Sequence, residues 1–201
     1  NSGEETSEET KNNAASALCN IASSGKGAEL LGTEDNLDKI TEFGASTSNK
    51  KNQRNISGLI ANIARIQAGK NYLGQNSAIR DLLFKYGAES DFDTDLSVLD
   101  IEELNRQIAA AIGNIANNPE EDSLFAANEE TKKTLFAMAE KSSSVDAVNS
   151  IASAIANSCF HSESRNATLY AGEDTQKILM GLWERQPKSA PFIAGAIANI
   201  C

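Results

Sequence analysis

One asparagine recurs five times in this chain, each time inside an uncharged stretch of seven residues. The stretches are Ser16–Ala22, Gly58–Ala64, Ala110–Ala116, Ser153–Cys159 and Gly195–Cys201. They align on Asn20, Asn62, Asn114, Asn157 and Asn199, at intervals of 42, 52, 43 and 42 residues. Five matches at a nearly constant period mark an internal repeat. A period of this size implies stacked supersecondary units that bury a continuous core only together.

Each stretch mixes small residues with Ile or Leu. Such a segment reads as a helix buried on most of its circumference, with small side chains admitting close neighbours. Asn is a mediocre helix former, and a buried amide needs hydrogen-bond partners. Two roles are open to it. The amides can tie neighbouring repeats together, or they can face a groove and bond the backbone of a bound peptide.

Shorter helical patterns lie between these stretches. Glu129–Lys141 places Leu135, Phe136 and Ala139 on one face, and Ser142–Ser144 follows as a stop and a cap. Glu173–Arg185 carries Ile178, Leu179, Leu182 and Trp183. Pro187 stops that helix, and Pro191 suits the first turn of the next. Leu82, Leu83 and Phe84 fill the equivalent place in the second interval. No run alternates as a strand does. The predicted unit is one long apolar helix preceded by one or two shorter ones.

Net charge is −10, but it is concentrated. Residues 4–9, 89–103 and 120–130 hold 16 of the 28 acids and none of the 18 bases. Phosphate binding needs a basic stripe, and none is dense enough, so no nucleic-acid partner is expected. No apolar run approaches the ~20 residues that span a bilayer. Three cysteines, an odd number at apolar positions, point to reduced thiols and a cytoplasmic location. The sequence starts at Asn1 and stops inside an apolar pattern, as a piece of a longer array would.

The period and the motif resemble the armadillo repeat family, over roughly residues 12–201. The resemblance implies an all-α, right-handed armadillo-type α-solenoid of about four to five three-helix repeats. The asparagines would then lie in the third helices and line a groove that binds extended peptides or partner surfaces. Family members that carry nuclear-import cargo have Trp four residues before the Asn. Here that place holds Ser16, Gly58, Ala110, Ser153 and Gly195, so pockets of that kind for basic side chains are not expected. Trp183 is assigned instead to the core.

Two helical turns before each asparagine stand Asn13, Asn55, Gln107, Ser150 and Phe192, with Arg54, Arg65 and Arg106 nearby. The expected strip is amide-rich and mildly basic, suited to an extended segment bearing acidic side chains. Residues 1–11 are expected to form a disordered acidic segment.

Catalytic and metal chemistry find little support. Asp91, Asp93, Asp95 and Glu102 fall at calcium-loop spacing, but Leu96 stands where the turn needs Gly. Ser97 with Asp100 reads better as a helix start. His161, the only histidine, has Cys159 alone beside it, which is no metal-ligand set. Two sequons, at Asn55 and Asn166, are short enough to arise by chance. The expected function is a protein-binding scaffold or adaptor, not an enzyme, with no cofactor. Alternatives are an armadillo-like exchange factor for a small GTPase or heat-shock chaperone, and a structural or cytoskeletal array component.

Overall fold

A computed structural model describes residues 7–90, 97–118, 125, 128–160 and 169–200. Eleven α-helices have both ends within these residues, and the described residues contain no strand. In chain order they are α1 (Glu8–Ala22), α2 (Gly25–Leu31), α3 (Glu34–Ala45), α4 (Lys50–Ile63), α5 (Gln67–Gln75) and α6 (Ser77–Ala88). There follow α7 (Val98–Ala116), α8 (Glu129–Lys141), α9 (Val145–Phe160), α10 (Glu173–Arg185) and α11 (Ala190–Ile200). The five asparagine stretches lie in α1, α4, α7, α9 and α11.

Local chemistry sets the helix starts. Side chains of Ser7, Ser24, Asn49, Asn76, Ser97 and Asn128 each accept a bond from a first-turn backbone N–H. These donors have no partner within their own helix, and a cap of this kind contributes about 1 kcal/mol. Ser144 accepts from Ala147 N in the same way before α9. Ser7 also moves a boundary. The expected disordered segment ended at Lys11, yet Glu8–Lys11 form the first turn of α1, where Lys11 pairs with Glu8 at 3.0 Å. The rest of that segment, residues 1–6, lies outside the described residues, as do Asp91–Leu96, His161 and Asn166.

The helices form two layers. Neighbours in the inner layer are α1, α4, α7, α9 and α11, in that order. The outer layer runs α3, α6, α8, α10. Between them sits one continuous core, including Leu37, Ile56, Ile60, Leu83, Ile108, Ile112, Leu135, Ile151, Ile155, Leu179 and Ile193. Residues six and three before the asparagine are fully buried in α4, α7, α9 and α11: Ile56, Ile108, Ile151 and Ile193, then Leu59, Ala111, Ala154 and Ala196. Truncating one of those isoleucines to Ala would cost ~2–5 kcal/mol.

Glycines mark the tightest contacts. A Cβ on Gly113 would sit 3.0 Å from Ala154 Cα, so α7 and α9 approach almost backbone to backbone. In the outer layer a Cβ on Gly44 would meet Leu82 at 2.6 Å, and one on Gly87 would meet Thr134 at 2.5 Å. The same layer carries polar ties between repeats. Tyr86 Oη donates to the Gly44 carbonyl at 2.8 Å, and Arg185 to the Ala139 carbonyl at 2.6 Å. A further set ties α1, α4 and α7 to the start of the next inner helix or the connection before it. Glu8 accepts from Thr47 and Asn52, Glu89 pairs with Lys50 and Gln53, and Glu102 accepts from Ser143 N and Oγ at 2.7 and 3.0 Å. Glu102, the twelfth position of the calcium-loop spacing, is therefore a buried helical residue bonded to protein.

Trp183, expected in the core, is 41% exposed. Cys159 is buried and Cys19 half-buried, neither in a disulfide, while Cys201 lies outside the described residues.

Candidate functional site

The recurring asparagines do one thing four times. Asn62 Nδ2 donates to the Cys19 carbonyl at 3.2 Å, Asn114 to Ala61 at 3.0 Å, Asn157 to Gly113 at 3.0 Å, and Asn199 to Ala156 at 3.0 Å. Every acceptor is the residue immediately before the previous repeat's asparagine. The result is a ladder running from α1 to α11 along the inner layer. Asn20, in the first helix of the described residues, is exposed. Asn62, Asn114, Asn157 and Asn199 are half-buried. Asn114, Asn157 and Asn199 each bond a neighbour with one amide N–H, which leaves the second N–H and Oδ1 without a protein partner among the described residues, whereas Asn62 Nδ2 also donates to Cys19 Sγ at 3.8 Å. The two roles open at the sequence level are thus compatible in geometry.

Beside the ladder between α7, α9 and α11 lies a groove of about 470 Å³. Asn114 and Asn157 line it, with Arg106, Ser150, Ser153 and Phe192. Three of the residues placed two turns before an asparagine, or beside one, therefore reach this groove: Arg106, Ser150 and Phe192. The others stand elsewhere on the inner layer. Asn55 Nδ2 donates to Asn12 Oδ1 at 3.1 Å, joining α4 to α1. Gln107 donates to Glu103 at 2.8 Å, and its side chain crosses Gly58, where an added Cβ would lie 3.2 Å from it. Asn13 and Arg65 are exposed.

The expected basic character is not found. Arg54 pairs with Asp100 at 3.2 Å. Arg106 makes a two-point contact with Glu103, both bonds at 2.7 Å. Acids from the 89–103 window thus neutralise two of the three arginines, because α7 starts at Val98 and carries Asp100 and Glu103 beside them. Burial alone would raise the pKa of Glu103, but the bonds from Arg106 and Gln107 outweigh it and hold the carboxyl below its usual range. Burial pushes the Cys19 thiol up, against the pull of Arg54 and Arg106. Asp146 and Asn149 also line the groove, and sequence reasoning missed both. Extending the asparagine face a further turn toward the N-terminus of α9 would have found them.

Among the described residues no three His, Cys, Asp or Glu side chains gather as metal ligands, and no helix is long and apolar enough to cross a membrane.

No protein-family model matches the sequence, and no curated protein matches it. Solved structures do. A designed armadillo repeat protein in complex with the peptide (KR)4 aligns with a TM-score of 0.70 at 16% identity, over 98% of this chain and 78% of that one. Two crystal structures of engineered proteins align with a TM-score of 0.72 at 19% identity, over 98% of this chain and 76% and 75% of theirs. At such identities the likeness concerns backbone architecture. The chain has an armadillo-like repeat fold.

Proposed function

We propose that the chain is a protein-binding scaffold, without a catalytic role, that holds an extended segment of a partner along the asparagine ladder. The observation that carries this reading is the unused half of each amide. One N–H and one Oδ1 remain at each of Asn114, Asn157 and Asn199, and Oδ1 remains at Asn62, at steps of one helix along the inner layer. A peptide main chain offers N–H and C=O groups and needs such paired partners. Each ladder bond orients its amide in advance, so little side-chain freedom is lost on binding. Small residues at Ala110, Ser153 and Gly195 leave room for a backbone to approach, whereas the Gln107 side chain covers Gly58. The neutralised arginines mean that backbone bonding, rather than net charge, supplies most of the attraction. The solved armadillo neighbour holding a peptide supports the scaffold reading.

The test is selection of unstructured peptides from an unbiased display library on the native chain. Bound peptides are then measured against Ser153→Leu and Ser150→Arg, which fill the groove and leave the ladder intact. Loss of binding by tenfold or more in both variants, with unchanged circular dichroism, is the expected result. Peptides that bind the filled-groove variants as tightly as the native chain would overturn the groove as the binding site.

A further inference from the structure

The groove beside α7, α9 and α11 is open, but the same face one repeat earlier is occupied by the protein itself. The place four before each asparagine governs how closely a ligand backbone can approach. It is half-buried at Ser16, Ala110 and Ser153 and exposed at Gly195, yet buried at Gly58. Gly58 has no side chain to shield it, so the cover comes from its neighbours. A Cβ added there would lie 3.2 Å from Gln107 Cδ and Oε1 and 3.1 Å from Cys19 Sγ. Gln107 reaches onto α4 from α7, and Cys19 meets it from α1.

Gln107 is held in this place. Its Nε2 donates to Glu103 Oε1 at 2.8 Å, and Arg106 grips Glu103 through two bonds of 2.7 Å. The three residues stand three and four apart on α7, so their side chains share a face. A two-point guanidinium–carboxylate contact fixes orientation as well as distance, and Glu103 therefore presents a fixed acceptor to Gln107.

Two further contacts close the same stretch. Asn55, two turns before Asn62, donates through Nδ2 to Asn12 Oδ1 at 3.1 Å. Asn62 Nδ2 bonds both the carbonyl and the Sγ of Cys19, at 3.2 and 3.8 Å. The α4 amide thus offers Oδ1 alone. Side-chain length separates the closed step from the open one. The equivalent of Gln107 on α9 is Ser150, and the equivalent of Gly58 on α7 is Ala110. Serine is too short to cross to the neighbouring helix, and Ser150 and Ala110 line the open groove instead.

We propose that Gln107 is a stop: it ends the path of a bound segment at Asn114, so that the site runs from α7 through α9 toward α11 and excludes α1 and α4. The stop rests on the groove being the binding site, and it adds a length to the partner. Asn114 and Asn199 are two steps apart on helices ~8–10 Å from their neighbours, which an extended segment of about five or six residues spans at ~3.3 Å each. A longer segment meets the Gln107 carboxamide and must leave the inner face or displace it from Glu103.

The test compares the native chain with Gln107→Ser, which copies the residue at the equivalent place of α9. Circular dichroism first shows that both fold alike. Peptides selected on the native chain are trimmed to the shortest that binds, then lengthened by four alanines at one terminus or the other. Neither extension is expected to change the native Kd by more than twofold. In Gln107→Ser one of them should tighten it about fivefold, the value of one added hydrogen bond. Cys19 gives a second reading, because its thiol lies over Gly58 beside Gln107. Its alkylation by iodoacetamide should be unaffected by peptide in the native chain and slowed at least threefold by the longer peptide in Gln107→Ser. An extension that gains affinity or shields Cys19 in the native chain overturns the stop, as does a variant in which either reading stays at the native value. A library that yields no peptide, or peptides indifferent to Ser150→Arg, overturns the groove as the binding site and the stop with it.

Discussion

Replacing Asn114 and Asn20 by Ala, separately, measures what one step of the ladder contributes. Both are asparagines in inner helices, each followed by Ile and Ala, but of the two only Asn114 donates to a neighbouring carbonyl, at 3.0 Å from Ala61. Asn114→Ala removes a hydrogen bond with a net value of about 1 kcal/mol, and an acceptor left unpaired near buried Ala61 raises the cost toward ~2 kcal/mol. Ala is the better helix former by about 0.5 kcal/mol, which offsets part of the loss. The expected net change is a destabilisation of about 0.5–1.5 kcal/mol. Asn20→Ala carries the propensity gain alone and should stabilise by about 0.5 kcal/mol. The assay is urea unfolding followed by circular dichroism in dilute solution, with midpoints compared at an unchanged slope. In a chain of this size the pair should differ by several degrees in Tm, at ~2–4 °C per kcal/mol. Equal shifts of the same sign for both variants would show that the ladder bond adds nothing and would refute the reasoning.

Other outcomes follow from single contacts. Gly87→Val should destabilise by ~1–3 kcal/mol, because the new side chain collides with Thr134; thermal unfolding measures it, and an unchanged midpoint would contradict the close packing of α6 on α8. Tyr86→Phe should cost about 1 kcal/mol by deleting the bond to the Gly44 carbonyl, read from the same unfolding curves. Cys159 should react with iodoacetamide far more slowly than Cys19 in the folded chain, since burial pushes its pKa up to about 12; peptide mass mapping should show the difference vanish in urea. Glu103 has a folded pKa below its unfolded value, so its contribution is present above the unfolded pKa, near ~4.3, and is lost as pH falls through the folded value. Glu103→Gln should therefore flatten the acid-side decline of stability, and a decline as steep as in the native chain would count against this assignment.

The repeat was legible because each asparagine stands in an uncharged stretch, and the period alone fixed which helices lie side by side. Glu129–Lys141 and Glu173–Arg185 were legible to the residue, bounded as they are by cap and proline signals. The ladder was not, because its acceptors are main-chain carbonyls and the residues supplying them vary: Cys19, Ala61, Gly113 and Ala156. The pairing of Arg54 and Arg106 was hidden for a different reason. Asp100 and Glu103 were counted with an acidic loop, and only the start of α7 at Val98 turns them toward the arginines. The first turn of α1 was missed although Ser7 followed by Glu8 and Glu9 is a cap with acids suited to a helix N-terminus. Trp183 was misplaced because its hydrophobicity suggested the interior. Position outranks hydrophobicity here, since the smaller residues Gly44, Gly87 and Ala139 at the equivalent place are the ones that fit where one outer helix packs on the next.

Inner-layer amides and outer-layer ties together act as the two chords of a truss. Asparagine bonds run along one face of the stack, and the Tyr86 and Arg185 bonds run along the other. Bending toward the groove stretches the outer chord, and straightening stretches the inner one. Hydrogen bonds weaken steeply outside a narrow range of length and angle, so both deformations meet resistance at once. Curvature in such a beam is a stiff variable rather than a spring, and the same bonds fix the spacing of the asparagine amides along the inner layer.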